Sequence, residues 1–245
     1  MSFDASPLLT RQLRFFLTVP HPCSYLPGQE ATTLFLDPNT PVDLATYSAL
    51  TQLGFRRSGQ HLYRPHCAHC RACVSVRIPV QRFTPDRSQR RIIKRNQDLS
   101  IREVPARYSE SYYALYAAYI DARHADGDMY PPTREQFRSF LTSQSHFARM
   151  VEFRLDSELL AVAVVDRLPD GLSAIYTFYS PDPSLGARSL GSYAILWQIR
   201  RALERRLPYV YLGYWIEQSA KMRYKQRYRP LEYLQGQQWR TLPLE

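Results

Sequence analysis

The sequence contains no run of 18 apolar residues, which excludes a membrane-spanning helix. Residues 1–10 lack the basic segment followed by an apolar one that marks a secretory signal, so the expectation is a cytoplasmic protein with no membrane partner. Internal repeats and low-complexity tracts are also missing. Cysteine is scarce, with four in 245 residues. In a reducing compartment those thiols favour metal or redox chemistry over disulfides. Acidic residues are in short supply: 22 stand against 32 lysines and arginines, for a net charge of +10 and a pI of about 9.6. That imbalance points to a polyanionic partner. The remaining composition, 44% apolar and 22% charged, is that of an ordinary globular protein.

The first part reads as short strands around one helix. Leu13, Phe15 and Leu17 alternate with Arg14, Phe16 and Thr18 as in a strand. Residues 23–28 form a turn and residues 32–36 a second strand. Thr40-Pro41-Val42-Asp43 opens a helix with Thr40 as its cap, and Gly54 ends it in the left-handed conformation. Residues 55–63 make a hairpin turning at Ser58-Gly59, and alternation at Val74, Val76, Ile78 and Val80 gives another strand. Residues 87–98 form an arginine-rich helix, and a boundary falls near residues 103–108. A tyrosine-faced helix over 109–124 and a helix opened by Thr133-Arg134-Glu135-Gln136 come next. Strands over 149–155, 158–168 and 172–178 precede a loop, a helix over 191–206 and a strand over 209–212. This succession matches a GNAT-type acyltransferase. The expected fold is α+β, with a GNAT-like acyltransferase domain over 104–245 and a smaller N-terminal α/β domain over 1–103 that carries the cysteines and the basic helix.

Four constellations carry chemistry. Cys67, Cys70 and Cys73 follow a C-x2-C-x2-C spacing, and Cys23 could add a fourth thiolate to a zinc or iron–sulfur site. The bland alternative is small buried thiols. Arg87, Arg90, Arg91, Lys94 and Arg95 form a basic stretch that can track phosphates, or a solvated helix face. From Lys221 to Arg229, cations recur at every second position with Tyr224 and Tyr228 between them. The stretch suits a nucleic-acid end, and either strand or helix accommodates it. Arg188-Ser189-Leu190-Gly191-Ser192-Tyr193 approximates a pyrophosphate loop of coenzyme A-dependent acetyltransferases. Tyr193 stands where a small residue is needed, which argues against coenzyme A.

Leu207-Pro208-Tyr209-Val210-Tyr211-Leu212-Gly213-Tyr214-Trp215-Ile216, followed by Lys221-Met222 and Tyr224-Lys225, resembles the aminoacyl-tRNA–protein transferase family. So do Arg123-His124-Ala125-Asp126-Gly127-Asp128-Met129, Gly54-Phe55-Arg56-Arg57-Ser58-Gly59 and residues 73–80, in order along almost the whole chain. The likeness is greatest to the bacterial branch. That resemblance implies leucyl-tRNA as donor, proteins with N-terminal Asp or Glu as acceptors, degradation of the product, and no cofactor required for transfer. An arginyl donor, as in the eukaryotic branch, is the nearest alternative. A coenzyme A-dependent N-acetyltransferase and a metal-bearing nucleic-acid-binding module are the others. The eukaryotic members' C-x-x-C is broken here by Leu26, and their later adjacent cysteine pair is replaced by Cys67, Cys70 and Cys73, so their cluster is not carried over.

An acidic N terminus requires a cation. Arg57, Arg77, Lys221 and Lys225 lie in the family-like segments and are the candidates for binding it. Tyr214 and Asp182, beside expected strand ends, are the candidates for handling protons or positioning the substrates. The basic stretch from Arg87 to Arg95 is the expected tRNA surface.

Overall fold

The computed structural model describes residues 13–143 and 145–243. The expectation for residues 1–10 lies outside them. In chain order the strands β1 (Phe15–Leu17), β2 (His21–Pro22), β3 (Glu30–Ala31) and β4 (Thr33–Leu36) precede helix α1 (Leu44–Gln52). Then come β5 (Arg56–Ser58), β6 (His61–Pro65), β7 (Val74–Pro79), α2 (Arg87–Arg95) and β8 (Ser100–Pro105). Helices α3 (Glu110–Arg123) and α4 (Arg134–Leu141) lead into β9 (Ala148–Leu155), β10 (Glu158–Leu168) and β11 (Gly171–Tyr179). The chain ends with α5 (Leu190–Glu204), β12 (Tyr209–Trp215), α6 (Ala220–Arg223), β13 (Glu232–Gln235) and β14 (Gln238–Thr241). The fold is α+β.

An eight-stranded sheet, ordered β14-β13-β7-β12-β11-β10-β9-β8, organises the molecule. A four-stranded sheet, β1-β4-β6-β5, and the β2–β3 pair lie beside it. Strand β10 shows how alternation builds two cores. Ala161, Ala163 and Val165 pack with Phe153, Tyr193, Ala194 and Trp197 on one face. Val162 and Val164 pack with Tyr47, Tyr116, Phe137 and Phe178 on the other. Helix α5 therefore covers one face, and α1, α3 and α4 cover the other. Strand β7, sequence-distant from its neighbours, pairs antiparallel with both β12 and β13, so the large sheet draws on residues from both sides of position 103.

Local chemistry sets the helix ends. Asp43, not Thr40, caps α1: the Thr46 N–H donates to its carboxylate at 2.7 Å. The correction follows from where helical geometry starts, because the cap oxygen must reach an N–H two or three residues ahead. Gly54 follows α1 at φ +86°, as its position suggests. Helix α2 begins with a reciprocal box. Gln89 donates its N–H to Asp86, and the Asp86 N–H donates back to the Gln89 side chain. It stops at Arg95, three residues short of expectation, and Asn96 turns under it to donate to the carbonyls of Ile92 and Arg188 at 2.8 Å. Residues 220–227 form a short helix followed by a 3-10 turn, which resolves the strand-or-helix ambiguity of that stretch.

Candidate active site

The site begins where two parallel strands part. Strands β11 and β12 pair only from Gly171 to Ser173 against Tyr209 to Tyr211. Beyond that point β11 continues to Tyr179, while β12 continues to Trp215 paired with β7 alone. A ladder that opens leaves backbone carbonyls needing donors. Arg56 fills that need from β5. Its guanidinium donates to the Ser173 hydroxyl at 2.8 Å and to the Ala174 carbonyl. The neighbouring strand makes room with Gly213, at φ +76°, whose missing Cβ would stand 3.0 Å from the Arg56 Nε. Lys225, 5% exposed, donates from Nζ to the Tyr214 carbonyl and to the Met222 sulfur at 3.3 Å. Burial, and then the charge of Arg56, push its ammonium down to about 7.

Next to the parted strands is a cleft of about 250 Å³. Tyr179 and Ser180 at the end of β11, Asp182, Ser189, Gly191 at the start of α5, and Arg123 at the end of α3 line it. Tyr119 packs on Tyr179 with ring centroids 4.8 Å apart, and its hydroxyl lies 3.2 Å from His124 Nε2. Helix α2 flanks the same cleft. Arg95 donates to the Ala187 carbonyl at 2.9 Å, and Arg188 donates back to the Arg95 carbonyl at 2.9 Å. Arg87, Arg90, Arg91, Lys94 and Arg95 are all exposed. Among the described residues none of these five has a carboxylate in ion-pair range. A row of exposed cations beside a cleft raises the local positive potential.

The residues singled out in the sequence fall into different settings. Asp182 lines the cleft and caps the 3-10 turn over Pro183–Arg188, accepting the Ser184 N–H at 2.8 Å. Hydrogen bonds from Ser184 hold its carboxyl below the usual range. Tyr214 is buried, and its hydroxyl donates to the carbonyls of Gly54 at 2.8 Å and Tyr63 at 3.2 Å, so it pins β12 to the small sheet. Burial raises its hydroxyl well above the ordinary value. Arg57 is taken up by Asp166 through two bonds of 2.6 and 2.8 Å, with the Tyr47 hydroxyl on the same carboxylate at 2.7 Å. Arg77 pairs with Glu232 at 2.8 Å and stacks over Tyr209 with its guanidinium carbon 3.5 Å from the ring centroid. Lys221 pairs with Asp126 at 2.9 Å on the surface. Only Lys225, of the four expected acid-binding cations, has no carboxylate among the described residues. The sequence did not mark out Arg56, Arg123, Tyr119 or Tyr179, of which Arg123 and Tyr179 line the cleft, Tyr119 packs on Tyr179, and Arg56 bonds the open end of β11. Arg56 and Arg123 stand inside the family-like segments, which is the signal that could have found them.

Tyr193 is corrected. Its ring is buried against Phe153, centroids 5.7 Å apart, and turns away from the cleft into the core. The obstruction expected at the start of α5 does not arise, so Tyr193 gives no argument against coenzyme A.

The cysteines converge without closing a metal site. Cys23, Cys67, Cys70 and Cys73 are each half-buried. Burial, followed by the proximity of the other three sulfurs, pushes the Cys73 thiol up to about 12. Cys67 Sγ turns to the Thr32 carbonyl at 3.8 Å. Among the described residues, no three His, Cys, Asp or Glu side chains are grouped so as to hold a metal ion. A zinc or iron–sulfur group needs three or four thiolates within bonding distance of one point, and the neighbouring sulfurs are not so grouped among the described residues.

The α+β fold thus carries a cleft at a helix start, beside opened strands and a row of cations that meet no carboxylate among the described residues. Family comparison gives the class. Residues 21–91 match the model described as "Arginine-tRNA-protein transferase, N terminus" and residues 111–235 the one described as "Arginine-tRNA-protein transferase, C terminus". The chain belongs to this family of transferases. It is 61% identical over 245 residues to an aspartate/glutamate leucyltransferase of Chromohalobacter salexigens, covering 100% of this chain and 99% of that protein. Proteins of the same name from Pseudomonas savastanoi pv. phaseolicola and Stutzerimonas stutzeri are 58% and 59% identical over 231 residues, with 94% of this chain and 97% of each covered.

Proposed function

We propose that this protein transfers leucine from leucyl-tRNA to proteins whose first residue is aspartate or glutamate, and that the new N-terminal leucine marks them for degradation in the cytoplasm. The observation that carries the tRNA part is the unpaired cationic face of α2 docked against the cleft at the start of α5. The donor and acceptor come from the relatives' names, across the full length of the chain.

The opened β11–β12 pair with α5 beneath it supports a GNAT-like arrangement. The tRNA backbone follows α2, and its aminoacylated 3′ end enters the cleft, where the Tyr119–Tyr179 cluster offers ring faces for stacking. The acceptor's α-amine attacks the ester carbonyl carbon. A C–N bond forms, the bond from that carbon to the ribose oxygen breaks, the amine loses a proton and the ribose oxygen gains one. An α-amine titrates at about 7.7–8.0, so a sizeable neutral fraction exists near neutrality, and holding the two ends together does most of the work.

Charge reversal at Arg90, Arg91 and Lys94 tests the tRNA surface. Leucyl-tRNA affinity should fall, and the salt dependence of binding should become shallower by about 0.7–0.9 in log–log slope for each phosphate that is no longer neutralised. Unchanged affinity and slope would remove α2 from the interface.

A further inference from the structure

Four cations are buried among the described residues: Arg56, Arg57, Arg77 and Lys225. Arg57 has Asp166 and Arg77 has Glu232. Arg56 and Lys225 have no carboxylate among the described residues. Their hydrogen bonds go to neutral acceptors, namely a hydroxyl, two backbone carbonyls and a thioether. Desolvated charges are costly unless paired, so two neighbouring buried cations without an anion mark a place where an anion is to be supplied. Their donors are also unspent. Arginine carries five N–H groups and an ammonium three, while each of these side chains makes two hydrogen bonds.

We propose that Arg56 and Lys225 form the receptor for the side-chain carboxylate of the acceptor's N-terminal residue. This assignment rests on the reading of the protein as a transferase for acidic N termini. The location suits it. Arg56 sits in the mouth of the parted β11–β12 pair, and Lys225 hangs from the 3-10 turn that follows α6. Tyr224, 41% exposed, lies near both: its ring centroid is 5.8 Å from the Lys225 Nζ, and it is within electrostatic reach of Arg56 and of Tyr179, which lines the cleft. The tRNA phosphates are met by the exposed cations of α2, which leaves a small, desolvated two-cation pocket for a single carboxylate. Asparagine and glutamine, of the same shape but uncharged, leave both cations unpaired and are rejected.

Lys225 gives the receptor a pH signature. The groups that face it are Arg56 from β5, Cys73 from the segment before β7, Tyr214 from β12, and Tyr224 and Met222 from its own segment. Burial and Arg56 depress its ammonium to about 7, and Cys73 acts weakly in the other direction. A bound carboxylate favours the charged form. Preference for acid is therefore full well below pH 7 and is lost as pH rises through it.

The test is leucine transfer to two peptides identical except for Asp or Asn at position 1, measured from pH 6 to 9. In the wild type the Asp/Asn ratio of kcat/KM should fall as pH rises through 7. The α-amine of the Asp peptide titrates higher than that of the Asn peptide, because the neighbouring carboxylate favours the ammonium, so each peptide's amine titration is measured separately and divided out. In Lys225→Met and Arg56→Gln the ratio should drop about 10- to 100-fold at pH 6.5, with leucyl-tRNA binding retained. Lys225→Arg should keep the preference and lose its pH dependence. A wild-type ratio that is flat with pH, or folded variants that keep the full ratio, would overturn the receptor while leaving the transferase reading intact. No transfer to either peptide would overturn both. The wild-type profile needs no variant and decides the matter if a substitution unfolds the chain.

Discussion

Arg56 and Arg57 are adjacent, and the strand they share sends them to opposite sides. Arg57 meets Asp166, which is 109 positions away in the chain. Arg56 meets the open end of β11. The motif Gly54–Gly59 was legible as important in the sequence. Which arginine stays free was not, because a partner so distant in the chain leaves no local trace. Arg77 tells the same story through Glu232. Two outcomes follow at this scale. Asp166→Ala strands the Arg57 charge in the core and should destabilise the protein by about 3–5 kcal/mol, read as a lower midpoint in denaturant titration. Gly213→Ala puts a methyl group 3.0 Å from the Arg56 Nε on a left-handed backbone. It should cost about 1–3 kcal/mol of stability and lower transfer to Asp peptides more than to Asn peptides, since Arg56 must move.

The elements that were readable in advance are those with clean local signals. Gly54 at a helix end, the turn at Ser58-Gly59 and the apolar runs of β9, β10 and β11 belong here. Strand β8 hid because Arg102 and Glu103 interrupt its alternation. Those charges make sense only across the sheet and on α5, where Arg102 meets Glu152 and Glu103 is met by Arg167, Arg201 and Arg205. Strands β13 and β14 are four residues each, too short for a period to declare itself. Tyr193 was misread for a related reason: a motif spacing says which residue stands near a helix start, not which way its side chain turns. At this scale the caps are testable. Asp43→Ala should lower stability by about 1 kcal/mol and Thr40→Ala should change it little, a contrast thermal melting resolves.

Across the whole molecule, two cores on opposite faces of one sheet hold the cleft between α5 and the parted strands. The buried carboxylates that tie those layers together set the acid limit of stability. Burial alone would raise the Glu152 carboxyl. Hydrogen bonds from Arg154, Tyr112 and Arg102 overcome that and hold it at about 2, against an ordinary value of 4.5. A carboxyl depressed by folding contributes its stability fully above the unfolded value and loses it as pH falls towards the folded one. Melting temperature should therefore decline progressively from about pH 5 to pH 2. The order of strands brings residues from both sides of position 103 into one sheet.

The central claim concerns what is transferred and to what. Radiolabelled leucyl-tRNA and arginyl-tRNA, offered with peptides beginning in Asp, Glu, Arg or Ala, test it directly. Leucine is expected on the Asp and Glu peptides alone. Arginine on those peptides, or no transfer by folded protein with active tRNA, would contradict it.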